Sequence, residues 1–311
     1  MLALRLLAAL LAAASAQASP PDPTPRRGPV EAVVLGIAQD GGVPHLGCRQ
    51  QLCIDARRDP SRRRHVASLG LLDPEAGKRF LIDATPDLPA QVEKLGGIPD
   101  AILLTHAHVG HYLGLAQLGR EVLGARGLPV YCTASMARFL RVNGPWSRLV
   151  KLGNVVIREI EPGRELELTP RLTVEAIRVP HRDEDSDTVA YLVRGPDRRL
   201  LWLPDIDKWE KWDRPVERLL RDASLIAFID GTFFDATEIP GRSIADIPHP
   251  LVFETITRVG RHPAAATHFI HLNHTNRLLW DLREVAALAE KGFRVAAEGD
   301  RHALSRSSRQ R

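Results

Sequence analysis

Strand-like runs come too often along this chain, and in the wrong order, for a simple alternating α/β fold. Short stretches rich in Val, Ile and Leu recur at Glu31 to Ile37, Val66 to Leu72, Phe80 to Ala84, Ala101 to Thr105, Leu128 to Thr133 and Val155 to Ile160. They return at Leu172 to Val179, Thr188 to Val193, Leu200 to Leu203, Leu225 to Ile229, Thr267 to Leu272 and Arg294 to Ala297. Helical periodicity marks Leu88 to Leu95, Tyr112 to Leu123, Ser135 to Val142, Lys208 to Asp222, Leu251 to Val259 and Leu278 to Lys291, the last stopped by Gly292. Strands first cluster, then alternate with helices, and the same order then repeats. That pattern suits two sheets packed together with helices outside.

Composition narrows the class. Of 311 residues, 44% are apolar and 26% charged, with 3 Cys, 23 Gly and 23 Pro, which excludes collagen-like, disulfide-scaffold and wholly disordered chains. The net charge of +4 comes from scattered Arg rather than basic blocks interleaved with aromatics, so nucleic-acid binding is not expected. A small-molecule substrate is the expected partner; the oligomeric state is not legible.

The chain opens like a secretory signal. Arg5 precedes the apolar run Leu6 to Ala14, and Ala16-Gln17-Ala18 offers a cleavage site before Ser19. The run is too short to span a bilayer, which takes about 20 apolar residues. The expected organisation is a signal peptide at residues 1–18, a Pro-rich linker at 19–28, one domain at 29–300 and a frayed basic tail at 301–311. A periplasmic or secreted location follows, with no membrane anchor.

The strongest chemical signal is Thr105-His106-Ala107-His108-Val109-Gly110-His111, directly after the apolar strand Ala101 to Leu104. Residues i and i+2 of a strand point to one side, so His106 and His108 can face one point, and Gly110 permits a tight turn that returns His111 to it. Imidazole is the commonest metal ligand, and packing does not explain three histidines so close together. Three further candidates stand where strands end: His181 after Val179-Pro180, Asp205 after Leu201-Trp202-Leu203-Pro204, and His271 in Phe269-Ile270-His271-Leu272-Asn273-His274.

That order, strand, His-x-His-x-x-His, His, Asp, His, resembles the metallo-β-lactamase fold, a four-layer αβ/βα sandwich with one or two metals between the sheets. More narrowly the chain is similar to the pyrroloquinoline quinone biosynthesis protein B family (PqqB-like). The narrower match rests on Leu35-Gly36, Gly41-Gly42-Val43-Pro44, Cys48, Ile82 to Asp87, Asp230-Gly231-Thr232-Phe233-Phe234 and His271 to Asn276. The resemblance implies one metal site from His106, His108 and His181 and a second from His111 and His271, with Asp205 bridging. It also exposes a departure: the superfamily places Asp between the second and third His of the cluster, where this chain has Gly110. A second site without its own carboxylate is therefore expected, unless His274, Asp40 or a water supplies the missing ligand.

Three chemistries stay open at this point. One or two Zn2+ ions would support hydrolysis of an ester, lactone, amide or phosphoester, with Asp205 and His274 as candidate catalytic groups. Two His and one carboxylate equally form the donor set of a non-haem Fe2+ oxidase or oxygenase. A metal-dependent binding protein that no longer turns over is the third. The narrower family carries a Cys-rich zinc knuckle near Cys48 and Cys53; with only two of its Cys positions filled, a disulfide is expected here instead. Asp183, Asp185 and Asp187 are read as a solvated acidic loop, since Thr188 and Arg194 stand where a calcium loop needs Gly and Glu. Trp209 and Trp212 are read as packing residues on an amphipathic helix.

Overall fold

A computed structural model describes residues 28–241 and 243–305. The expected signal segment, nearly all of the linker and the last residues of the tail lie outside them. Seven strands form one sheet: β1 (Glu31–Gly36), β2 (Ser68–Asp73), β3 (Lys78–Ile82), β4 (Ala101–Leu103), β5 (Leu128–Cys132), β6 (Val155–Glu159) and, from the far end of the chain, β14 (Arg301–Ala303). The other seven form the second: β7 (Glu165–Thr169), β8 (Leu172–Val179), β9 (Thr188–Arg194), β10 (Arg199–Leu203), β11 (Leu225–Asp230), β12 (Ala266–Ile270) and β13 (Phe293–Val295).

The spatial orders are β14-β1-β2-β3-β4-β5-β6 and β13-β12-β11-β10-β9-β8-β7. Each sheet is antiparallel on one side and parallel on the other. In the first, β14 to β3 pair antiparallel and β3 to β6 parallel. In the second, β7 to β10 are antiparallel and β10 to β13 parallel. This is the repeated order of clustered, then alternating, elements that the sequence displays.

Strand alternation builds the layers. Ala32 and Val34 of β1, Leu69 and Leu71 of β2, and Ile82 and Leu103 point into one large apolar cluster with Val174, Tyr191, Trp202, Phe228 and Phe269 of the second sheet. Val33, Leu35, Leu81 and Ile102 point the other way, onto α2 (Leu88–Leu95) and α4 (Ala134–Val142) through Leu88, Leu95, Met136 and Leu140. Helix ends obey local chemistry: Gly96 closes α2 at φ 87°, and the Thr133 hydroxyl caps α4 by accepting from Met136 N. No helix among the described residues is long and apolar enough to cross a membrane.

Several expectations are corrected. The residues read as a frayed tail include β14, paired with Glu31 to Val33, and the buried Leu304. Its run is too short and polar to read as a strand, and only the free edge of β1 recruits it. The helix expected over Lys208 to Asp222 is broken into a 3-10 turn at Trp209–Lys211 and a short helix at Val216–Leu219, because Pro215 lacks the N–H an interior position needs. Both tryptophans are core residues nonetheless, donating their indole N–H to Thr255 Oγ1 and to the Arg178 carbonyl. Cys48 and Cys53 are separate thiols rather than a disulfide. The acidic loop is not merely solvated: Asp187 is buried, ion-paired to Arg178 at 2.7 Å and bonded by the Thr133 and Ser135 hydroxyls, which ties it to the start of α4.

Candidate metal centre

Chemistry-bearing residues collect where strands of both sheets end. His106 and His108 follow β4, His181 follows β8, Asp205 follows β10 and His271 follows β12. Rigid strands thus deliver side chains from distant parts of the sequence to one edge of the sandwich. His111 sits in a four-residue helical turn, Val109–Tyr112, that turns it back towards His106.

Asp205 stands at the centre. Its Oδ2 lies 2.9 Å from His111 Nε2, 3.2 Å from His271 Nε2 and 3.6 Å from His106 Nε2, while its Oδ1 lies 3.6 Å from His181 Nε2. Two ligand groups flank it, His106–His108–His181 on one side and Asp40–His111–His271 on the other, with the donor atoms within each group no more than 4.8 Å apart. The six residues expected as metal ligands are therefore brought together. His274 is not: its ring stacks on His45 with centroids 4.2 Å apart, outside every such group.

Two residues outside the expected ligand set join the centre. Asp40, named in the sequence only as a fallback, extends its carboxylate to within 3.4 Å of His111 Nε2 and 3.6 Å of His271 Nε2. Of the alternatives named for the missing ligand, Asp40 is the one that stands beside His111 and His271. His249, in the Ile247-Pro248-His249-Pro250 loop, places Nδ1 3.5 Å from Asp205 Oδ1. No strand or spacing signal marks that loop, so its histidine is invisible in sequence.

A second ring of groups fixes the ligands. Asp83 accepts from Thr105 N and Oγ1 and lies 2.8 Å from His111 Nδ1, leaving Nε2 to face the centre. Asp230 takes the same place for His249, with Oδ2 2.8 Å from its Nδ1, while Thr232 Oγ1 reaches His271 Nδ1 at 3.0 Å. Glu184 stands 2.9 Å from His108 Nε2. Asp83 and His271 hold φ values of 67° and 63°, left-handed backbone that non-glycine residues adopt at a cost, here met at the site itself.

Electrostatics separates the histidines. Burial pushes His181 down to about 4, and burial with the nearby His111 charge holds His106 well below the usual range, so both are neutral and ready to act as ligands. Burial opposes a charge on His111 too, but the Asp83 charge and hydrogen bond and the adjoining Asp205 and Asp40 carboxylates outweigh it and raise the group well above its ordinary value. Asp205 and Asp40 also resist burial, held ionised by the surrounding imidazoles. The residues fit a bound metal by a direct criterion. His106 Nε2, His111 Nε2, His181 Nε2, His271 Nε2 and Asp40 Oδ1 are all buried with no hydrogen-bond partner, and they converge. Unpartnered buried polar atoms are costly unless a ligand satisfies them.

Two mixed sheets with a histidine and carboxylate cluster at their strand ends define a metal-binding α/β sandwich. The chain belongs to the beta-lactamase superfamily, whose domain model matches residues 78–272. Coenzyme PQQ synthesis protein B from Methylobacterium sp. strain 4-46 is 24% identical over 306 residues, covering 87% of this chain and 98% of that protein; the protein from Methylobacterium radiotolerans is 26% identical over 305 residues. An octanoyltransferase from Porphyromonas gingivalis is 34% identical over 160 residues, but the chain spans only 30% of that protein's length. Among solved structures, Zn(2+)-bound PqqB from Methylobacterium extorquens superposes with a TM-score of 0.72 at 22% identity over 88% of this chain and 99% of that one. A diphosphatase of the PhnP family gives 0.65 at 24% identity over 88% and 97%.

Proposed function

We propose that this chain is a metal-dependent hydrolase acting on a phosphoester, ester, lactone or amide. The observation that carries the reading is the Asp205 carboxylate set between two groups of ligands whose inward atoms have no other partner. His106, His108 and His181 would hold one divalent ion, and His111, His271 and Asp40 a second, with Asp205 shared. Bound there, the metal supplies Lewis-acid activation of water and of the substrate's oxygen. Zn2+ suits these donors.

The chain's own groups supply positioning and proton transfer. Asp83 and Thr232 hold His111 and His271 in one orientation, so the centre does not reorganise when substrate arrives. His249 is suited to protonate a leaving group. Burial works against its charge, but the Asp230 charge and hydrogen bond, with further help from Asp205, raise it above the ordinary histidine value. Asp230 occupies Nδ1, which leaves Nε2 as the nitrogen that meets a leaving oxygen. Hydrolysis needs such a donor whenever the departing group is a poor one.

A second reading is supported by the donor set itself. Asp40, His111 and His271 are two His and one carboxylate, the ligands of non-haem Fe2+ sites, and coenzyme PQQ synthesis protein B aligns over nearly its whole length. Metal analysis followed by assays with phosphodiester, lactone and β-lactam substrates separates the two. Turnover with Zn2+ or Mn2+ and no O2 uptake supports hydrolysis; O2 consumption dependent on Fe2+ overturns it. We further propose that the protein is exported, on the strength of Ala16-Gln17-Ala18 and the preceding apolar run.

A further inference from the structure

We propose that the carboxylate of the second metal site has moved in this chain from the histidine cluster to the loop after β1, so that Asp40 is a metal ligand and Gly110 is the gap that admits it. The inference rests on the metal-centre reading above and deepens it. Position 110 decides the matter sterically. A Cβ built there would lie 2.1 Å from Asp40 Oδ1 and 2.7 Å from Asp40 Cα, far inside van der Waals contact, and a backbone atom cannot swing away as a side-chain tip can. The helical turn does not itself require glycine, because Gly110 is not among the positive-φ glycines. What requires it is Asp40.

The loop is built to keep Asp40 there. Ala38 N bonds to the His65 carbonyl, Gln39 N to the Leu272 carbonyl and Leu272 N to the Ile37 carbonyl, so residues 37–39 bridge the two sheets beside β12. The Gln39 side chain is also bonded by Asn273 Nδ2. Asp40 is therefore fixed one residue beyond a backbone tie to Leu272, whose neighbour His271 is its partner in the site. Its Oδ1 is buried and unpartnered, as are the two imidazole nitrogens it faces. A side chain at 110 meets the backbone of residue 40 as well as its carboxylate, so the loop position that carries Asp40 to the site requires glycine at 110.

The test uses the full chain loaded with Zn2+ and, for spectroscopy, Co2+, with metal content measured after desalting and affinities by chelator competition. Wild type is expected to hold two ions. Asp40→Asn keeps the shape but removes the charge and should weaken the second ion by at least about 100-fold while leaving the first, with a changed Co2+ absorption band. Gly110→Asp should disturb the loop and the second site. Circular dichroism and thermal melts identify any variant that fails to fold, and Asp40→Asn then stands as the deciding measurement. Wild type that binds no metal overturns the metal-centre reading as a whole. Wild type with a single ion, or Asp40→Asn that keeps two with unchanged affinity, overturns this proposal alone.

Discussion

Asp83 Oδ2 lies 2.8 Å from His111 Nδ1, both side chains fully buried, and the same carboxylate accepts from Thr105 at the mouth of the histidine cluster. One aspartate at the end of β3 thus sets the tautomer of a ligand that follows β4. The pair converts strand register into ligand orientation, since β3 and β4 are parallel neighbours with Ile82 beside Leu103.

Asp83→Asn is expected to lower metal affinity by about 10- to 100-fold, the usual effect of losing an orienting partner, with little change in secondary structure. Chelator competition measures it. An affinity equal to wild type would show that Asp83 only anchors the turn.

His249→Gln separates proton donor from ligand. As a donor its loss lowers turnover by about 100-fold or more with metal content retained, and Asp230→Asn lowers turnover in the same direction by freeing Nδ1. Loss of an ion from His249→Gln instead would place this histidine among the ligands, consistent with its standing in one group with Asp205 and His271.

The ligands that sequence made legible are those that end strongly apolar strands: the run Ala101 to Leu104 announces His106 and His108, and Leu200 to Leu203 announces Asp205. Asp83 and Asp230 end strands as well, but a single Asp after a strand reads as a turn residue until its partner histidine is seen across the sheet. Asp40 was hidden for another reason. It lies four residues beyond the edge of β1, and its approach to His271 depends on a bridge between sheets that only tertiary structure forms. Gly110 was legible as a departure but not in its cause, since the atom that forbids a side chain there belongs to residue 40.

His108→Ala tests the first site. His108 shares a group with His106 and His181 and is the most accessible of the three, with Glu184 at its outer side. A three-histidine site that loses one ligand should bind Zn2+ far more weakly and should melt at lower temperature when loaded, because metal affinity is also folding free energy. Unchanged stoichiometry would remove His108 from the ligand set.

The export proposal is checked by mass spectrometry of protein recovered from its native compartment. A mature terminus at Ser19 is the expected result; an intact Met1 overturns it.

Acid should unfold this protein partly through a histidine that has nothing to do with the metal centre. His268 lies on β12 with both ring nitrogens buried and unpartnered, packed on Phe228 at 5.0 Å and on His302 at 5.0 Å between centroids. Burial pushes it down to about 3, reinforced by His302 and Arg294, and His302 is lowered too. The unfolded chain takes up a proton near 6.5, so between 6.5 and 3 it binds more protons than the folded one. The contribution of neutral His268 is thus fully present above 6.5 and is lost progressively as pH falls towards 3. At about pH 4.5 the loss is roughly 2 to 3 kcal/mol from this residue alone. His268→Phe removes the proton site and, with no hydrogen bond to break, should be neutral or stabilising at pH 7.5. Urea unfolding of metal-free protein at both pH values checks it. The variant should lose markedly less stability than wild type on going from pH 7.5 to 4.5; equal losses would mean that His268 stays neutral in neither state's favour and that carboxylates and the site histidines carry the acid transition.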